Sequence, residues 1–274
     1  MSSALQIGPV VVPGSLLVLL MAVAITGFVG KRIGRRIGGA GGGEVETVLW
    51  QTLLLGLVVA RLVFVWQFLS AYLSAPLSIL DIRDGGWNAE AGFIGAWLYA
   101  FRQATRRPPL KRPLLWALTA GSGFWWLASL ALVVLLPGKG QALPDIDLAT
   151  PQGALVRLSD FKGAPTVINL WATWCPPCVR EMPVLQQAQT DHPSINFVFL
   201  NQRESAAHVS AWLAARQLSL RNVLLDDTAK AGAAFNQAAL PTTLFFNAKG
   251  ELVSTRIGEL SKATLAQKLA AISP

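Results

Sequence analysis

Thr166-Val167-Ile168-Asn169-Leu170-Trp171-Ala172-Thr173-Trp174-Cys175-Pro176-Pro177-Cys178 decides how the C-terminal half of this 274-residue chain is read. Residues 165–171 form a short apolar run bounded by turn residues, the pattern of a strand buried on both faces. Cys175 and Cys178 follow at once, and they are the only cysteines in the chain. Two thiols separated by two residues after a buried strand point to a reversible dithiol/disulfide couple, Cys175–Cys178. The bland alternatives are a purely structural disulfide and half of a zinc site. Zinc takes about four ligands, and only His192 and His208 remain to join the thiols, neither at a ligand-like spacing, so no metal is expected.

The spacing also divides the labour. Residues 176–190 read as a helix, with Pro176 in its first turn, where a missing N–H costs little. Cys175 then sits just before a helix N-terminus, whose N–H groups and dipole stabilise an anion. It is expected to be the attacking, partly exposed thiol, and Cys178, one turn in, the resolving one. Pro176 and Pro177 stiffen the loop and donate no N–H.

Downstream, residues 195–201 read as a strand and residues 205–217 as an amphipathic helix with Val209, Trp212 and Leu213 on one face. A short strand at 223–225 and a helix at 228–235 follow. Residues 242–247 and 252–257 form a hairpin through Ala248-Lys249-Gly250, and Ser261 caps a last helix over 262–272. Upstream, residues 154–158 alternate as a short strand after an extended lead-in at 142–150. The order is βαβ followed by ββα.

The first half has a different physical character. The chain is 53% hydrophobic and only 14% charged, too apolar for an ordinary soluble protein. Residues 1–140 carry 12 Lys+Arg against 5 Asp+Glu, and residues 141–274 carry 11 against 10. The basic surplus sits in the greasy half, without basic runs interleaved with aromatics, so it indicates membrane topology and no nucleic-acid partner. Spans are expected at about 10–29, 48–72, 91–101 and 114–136, the third being the least apolar. Lys31, Arg32, Arg35 and Arg36 follow the first span, an order opposite to that of a cleaved signal peptide. Arg102, Arg106, Arg107, Lys111 and Arg112 lie between the third and fourth. Basic loops stay in the cytoplasm, so four spans place the C-terminal half outside. Arg61 falls inside the second span, where a charge implies function or a buried partner such as Asp84 or Glu90. Pro137-Gly138-Lys139-Gly140-Gln141 breaks the chain after the last span. The expected domains are 1–137, a linker at 138–144, and 145–274.

Two resemblances extend this reading. Residues 143–274 resemble the TlpA/ResA group of membrane-tethered thiol-disulfide oxidoreductases. The resemblance rests on Leu158-Ser159-Asp160-Phe161-Lys162-Gly163, the Asn169 to Cys178 stretch, Glu181-Met182-Pro183 and Leu240-Pro241-Thr242-Thr243. It implies a thioredoxin fold, no cofactor, and a cis peptide at Pro241 that would set the Leu240 backbone opposite the cysteines to pair with an extended substrate. It also implies that Glu181 exchanges a proton with the resolving thiol; the alternative is a solvated helix residue. Asn169 stands where thioredoxin has a buried aspartate and cannot take a proton. Trp171 and Trp174 flank the site, Pro183 is expected to kink the helix, and His192 and His208 read as surface residues. The residues expected to meet substrate are Trp174, Pro176, Pro177, Leu240, Pro241 and Thr242.

Residues 10–105 resemble prolipoprotein diacylglyceryl transferase through Ala60-Arg61-Leu62-Val63-Phe64-Val65, Asp84-Gly85-Gly86 and Gly92-Phe93-Ile94-Gly95. Glu90 stands where that family carries its functional histidine, and the later Arg-x-Gly-Asn-Phe signature has no counterpart, so transferase chemistry is not expected. The whole chain reads as an α-helical transmembrane bundle of about four spans followed by an α/β thioredoxin-fold domain. The expected function is a protein-disulfide reductase of the bacterial inner membrane with its redox domain in the periplasm. Its partners are periplasmic protein thiols and disulfides, the lipid bilayer, and a separate membrane electron donor, since no other cysteine can recharge the pair. The alternatives are a disulfide-forming oxidant and a lipid-binding or lipoprotein-modifying protein with a thioredoxin accessory domain.

Overall fold

The structure, a computed structural model, describes residues 4–7, 10–37, 42–73, 76–135 and 141–273. Three of the seven residues of the expected linker, 138–140, lie outside the described residues. The chain divides into two compact units, the N-terminal helices and the C-terminal α/β region.

In the first unit β1 (Ala4–Ile7) pairs antiparallel with β2 (Val10–Pro13). The expected first span therefore starts too early: α1 begins at Gly14 and runs to Ile37. Val10, Val11 and Val12 are β-branched, and the residue before a proline is pushed to extended backbone, so helix cannot include Val12 comfortably. The other helices are α2 (Gly42–Gln67), α3 (Leu69–Leu73), α4 (Ala89–Arg106) and α5 (Pro108–Leu135). Among the described residues, three helical segments are long and apolar enough to cross a membrane: Leu16–Arg36, Gly43–Gln67 and Pro108–Leu132.

The basic residues assigned to loops lie mostly inside these helices. Lys31, Arg32, Arg35 and Arg36 occupy the end of α1, Arg102 and Arg106 the end of α4, and Lys111 and Arg112 the start of α5; all are exposed. Lys and Arg are good helix formers, so helix continues through them, and α4 ends where Pro108 follows Arg107. Arg107 has φ −131° and ψ 83°, outside the helical region.

Small residues set the spacing of α2 and α4. A Cβ added at Gly92 would lie 2.8 Å from both the Gly56 carbonyl oxygen and the Ala60 Cβ, so the backbones touch through glycine. Arg61, buried in α2, donates to the Ile79 carbonyl (Nη2, 2.9 Å) and the Gly86 carbonyl (Nη1, 2.8 Å) and lies over the rings of Tyr72 and Trp87.

In the second unit the elements are β3 (Asp147–Ala149), β4 (Leu155–Arg157), β5 (Thr166–Trp171), α6 (Pro176–Asp191), β6 (Asn196–Gln202), α7 (Ala206–Ala215), β7 (Val223–Asp226), α8 (Lys230–Ala234), β8 (Thr242–Phe246), β9 (Leu252–Ile257) and α9 (Lys262–Ala270). The sheet order is β4-β3-β7-β6-β5-β8-β9. Strand β5 is parallel to β6 and antiparallel to β8, and β6 is parallel to β7. The helix expected over 228–235 shrinks to the five residues of α8.

Alternation along β5 divides the core. Val167 and Trp171 pack with Cys178, Met182 and Leu185 of α6 on one face of the sheet. Ile168 and Leu170 pack with Val198, Leu224, Leu244 and Phe246 on the other. Each such Leu, Val or Phe burial contributes roughly 1.5–3 kcal/mol. The same two-residue period turns Asn169 toward α6, and this places an amide beside the redox helix.

Candidate active site

Cys175 is the N-cap of α6, with extended backbone (φ −93°, ψ 104°) and its sulfur accepting from the Cys178 N–H at 3.3 Å. Pro176 and Pro177 fill the first two helical positions. Neither has an N–H, so the Cys178 amide is the first in the helix able to face the sulfur. Cys175 and Cys178 are joined in a disulfide. Cys178 is fully buried, and Cys175 is 3% exposed. The expectation of a partly exposed Cys175 therefore fails for this oxidised form: the sulfur sits in the N-cap pocket, packed into the same core as Trp171 and Met182.

Glu181 lies one turn beyond Cys178, at the spacing that puts two helix residues on one face. It is 1% exposed, which removes the reading as a solvated helix residue. Asn169 Nδ2 donates to its Oε1 at 2.8 Å, and the Leu260 N–H donates to Oε2 at 3.0 Å. Burial pushes its carboxyl up to about 7, against these two hydrogen bonds, which favour the anion. Leu260 is held in place by its neighbour: Arg180 of α6 clasps Glu259 through Nε (3.0 Å) and Nη2 (2.6 Å).

The other expected residues separate by exposure. Trp174 is 68% exposed beside Cys175, whereas Trp171 is buried against Trp212 at a ring distance of 5.2 Å. Of the two tryptophans, only Trp174 is exposed. Pro176 is exposed, Pro177 and Leu240 are half-buried, and the Leu240–Pro241 peptide bond is cis. Thr242 is a correction. Its side chain is fully buried and its hydroxyl donates to the Ala239 carbonyl at 2.7 Å, because pairing with Leu170 puts it on the sheet face away from α6, leaving no side-chain surface for a substrate. Pro183 lies within the unbroken span of α6.

One cluster was not anticipated. The Glu204 carboxylate accepts from the Thr173 N–H (2.8 Å), the Thr173 hydroxyl and the Asn201 side chain (2.7 Å). His208 Nε2 lies 2.9 Å from the Thr173 hydroxyl. His192 and His208 are exposed, as expected, but His208 belongs to this cluster, which ties the loop just before Trp174 and Cys175 to the end of β6. The only sequence signal was the position of Thr173 inside the cysteine motif. No metal-binding group of His, Cys, Asp and Glu occurs among the described residues.

The Redoxin family profile matches residues 138–269. The thioredoxin-like protein YneN of Bacillus subtilis is 32% identical over 135 residues, which is 48% of this chain and 78% of that protein. The thiol-disulfide oxidoreductase ResA of Geobacillus kaustophilus is 26% identical over 170 residues, 62% of this chain and 98% of that protein. Among solved structures, StoA from Bacillus subtilis is 26% identical, with a TM-score of 0.41, covering 46% of this chain and 99% of its own.

Proposed function

Since this chain belongs, through its C-terminal half, to the thioredoxin family of thiol-disulfide oxidoreductases, we propose that it is a membrane-anchored reductase of protein disulfides whose Cys175–Cys178 couple works in the periplasm. The observation that carries the reducing direction is the proline-filled first turn of α6. Helix N–H groups stabilise a thiolate, and a couple whose reduced form is stabilised is oxidising. Here Pro176 and Pro177 remove two of those N–H groups, and the one left is that of Cys178. The carboxyl of Glu181, one turn from Cys178, adds negative charge when ionised. Both features disfavour the thiolates and therefore favour the disulfide, which makes the dithiol a good electron donor.

The reaction then runs in two steps. The Cys175 thiolate attacks one sulfur of a substrate disulfide, forms a mixed disulfide and expels the other substrate sulfur as a thiolate, which takes a proton from solvent. Cys178 gives its proton to the Glu181 carboxylate and attacks Cys175 Sγ. The Cys175–Cys178 disulfide forms, and the second substrate sulfur leaves as a thiolate that solvent protonates. Two electrons have passed to substrate, and an external dithiol must return them, because the chain has no third cysteine. Trp174, Pro176, Pro177 and the Leu240–Pro241 backbone line the approach to Cys175.

We place the redox domain outside the membrane by treating α4 as a fourth span. Its 18 residues reach about 27 Å at 1.5 Å per residue, against a hydrocarbon core of about 30 Å. Phe93, Ile94, Leu98 and Phe101 leave an exposed apolar face on it that suits lipid. The cationic ends of α1, α4 and α5 then face the cytoplasm. The membrane unit is read as a diacylglyceryl-transferase-like scaffold without that chemistry. Glu90 is exposed in the first turn of α4, where its charge complements the helix N-terminus, and Arg61 organises the loop carbonyls it contacts.

The test is the reduction potential of the full-length protein by glutathione equilibration. A value near about −270 mV supports a reductase, and one near about −120 mV identifies a disulfide-forming oxidant. Cys178→Ala, which strands substrates on Cys175, should trap periplasmic protein disulfides; a trap that stays empty argues against protein substrates.

A further inference from the structure

The surroundings of Glu181 are made of donors. Asn169 Nδ2 and the Leu260 N–H each give a hydrogen bond to one carboxylate oxygen. That arrangement satisfies an anion and offers nothing to receive the proton of a neutral acid. Asn169, however, is an amide with two ends. Its Nδ2 also donates to Thr243 Oγ1 at 3.0 Å, while its carbonyl oxygen Oδ1 is buried and has no hydrogen-bond partner among the described residues. Orphaned buried acceptors are uncommon and costly. Asn169 is 1% exposed and Thr243 fully buried.

We propose that Asn169 is a positioning residue that serves both protonation states of Glu181, its amide turning over when the carboxyl gains a proton. With the amide as found, Nδ2 donates to the carboxylate and to the Thr243 hydroxyl. Turned over, Oδ1 takes the place of Nδ2 and accepts from the Glu181 O–H and from the Thr243 O–H. A hydroxyl can donate or accept, so Thr243 follows either orientation without moving. The proton is that of Cys178: Cys178–SH and Glu181–COO⁻ become Cys178–S⁻ and Glu181–COOH, with no other reactant. This inference rests on the reading of Glu181 as that acceptor. Through their charges Glu259 favours the neutral acid and Arg256 the anion, and Cys178 lies one turn before Glu181 on α6. Asn169 acts through direct hydrogen bonds to the carboxyl and so determines whether each form is satisfied in the core.

The experiment is infrared titration of the full-length protein in micelles across neutral pH. The carboxylic C=O stretch missing from Glu181→Gln identifies neutral Glu181. In the unaltered protein that band is expected at the hydrogen-bonded position. In Asn169→Leu the O–H loses its acceptor while the C=O keeps the Leu260 N–H, so the band should move up in frequency without reaching the free-acid position, and its titration midpoint should rise by about one unit through loss of a donor to the anion. Carbon-13 labelling of asparagine needs no substitution: one asparagine amide carbonyl band should shift with the Glu181 midpoint and stop doing so in Glu181→Gln. A free-acid band in the unaltered protein, or no asparagine shift, overturns the inference and leaves Glu181 as proton acceptor. The lack of any titrating band lost in Glu181→Gln overturns both.

Discussion

Replacing Glu181 by glutamine should change the pH dependence of stability by a predictable amount. Burial moves the Glu181 carboxyl from 4.5 to about 7, and with the residue 1% exposed the shift needs no discount for solvent screening. At 1.36 kcal/mol per unit it corresponds to about 3 kcal/mol. The sign follows from proton counting. Below the unfolded value of 4.5 both states hold the proton and burial costs nothing through ionisation. Between 4.5 and 7 the folded protein holds a proton the unfolded one has released, so stability falls as pH rises, and above 7 the full cost is present. Glutamine cannot ionise, so this contribution vanishes in Glu181→Gln. The variant keeps one acceptor oxygen and sets an amide donor against one of the two existing donors, at a pH-independent cost of about 1–3 kcal/mol. It should therefore be less stable than the unaltered protein near pH 4.5 and close to it, or more stable, above pH 7. The measurement is urea dependence of amide exchange in β5 and β6 of the oxidised full-length protein in micelles, corrected for intrinsic exchange. Parallel stability curves for the two proteins over this pH range would refute the assignment of Glu181 as a buried, raised carboxyl.

Three further outcomes follow from the geometry. Trp174→Ala removes the exposed ring beside Cys175 and should raise KM for a protein disulfide about tenfold, leaving the melting temperature and reactivity toward small disulfides unchanged; an unaltered KM would deny Trp174 a docking role. Glu204→Ala orphans the Thr173 N–H and the Asn201 amide and should lower stability by about 3 kcal/mol, with exchange accelerated first at Thr173. Gly92→Val drives a side chain into the Gly56 carbonyl and Ala60, so it should separate α2 from α4 and lower the melting temperature in micelles more than Gly95→Val, whose added Cβ would first meet the Val59 side chain, at 3.1 Å.

How much of the site could be read in advance depended on how far apart in sequence its contacts lie. Cys175, Cys178 and Glu181 fall within two helical turns, so one capped helix after one buried strand places all three. The strand–helix order was equally legible, because apolar alternation and caps such as Ser261 act locally. The basic residues were misplaced in loops because hydropathy marks where an apolar run ends, while helix formation continues through Lys and Arg, as far as Pro108 in the case of α4. Thr242 was expected to face substrate, yet its direction is set by pairing with Leu170 in β5, a register no local pattern reveals. Glu204 meets Thr173 from 31 positions away, and the Leu260 N–H reaches Glu181 from 79 away. The same limit explains why Asn169 could be recognised only as a residue unable to take a proton. Its partnership with Glu181 and Thr243 exists because β5 alternation aims it at α6 while β8 pairing brings Thr243 alongside. A thiol couple can thus be read from four residues, but the donors that hold the buried Glu181 carboxyl, Asn169 and the Leu260 N–H, come together only in the assembled domain.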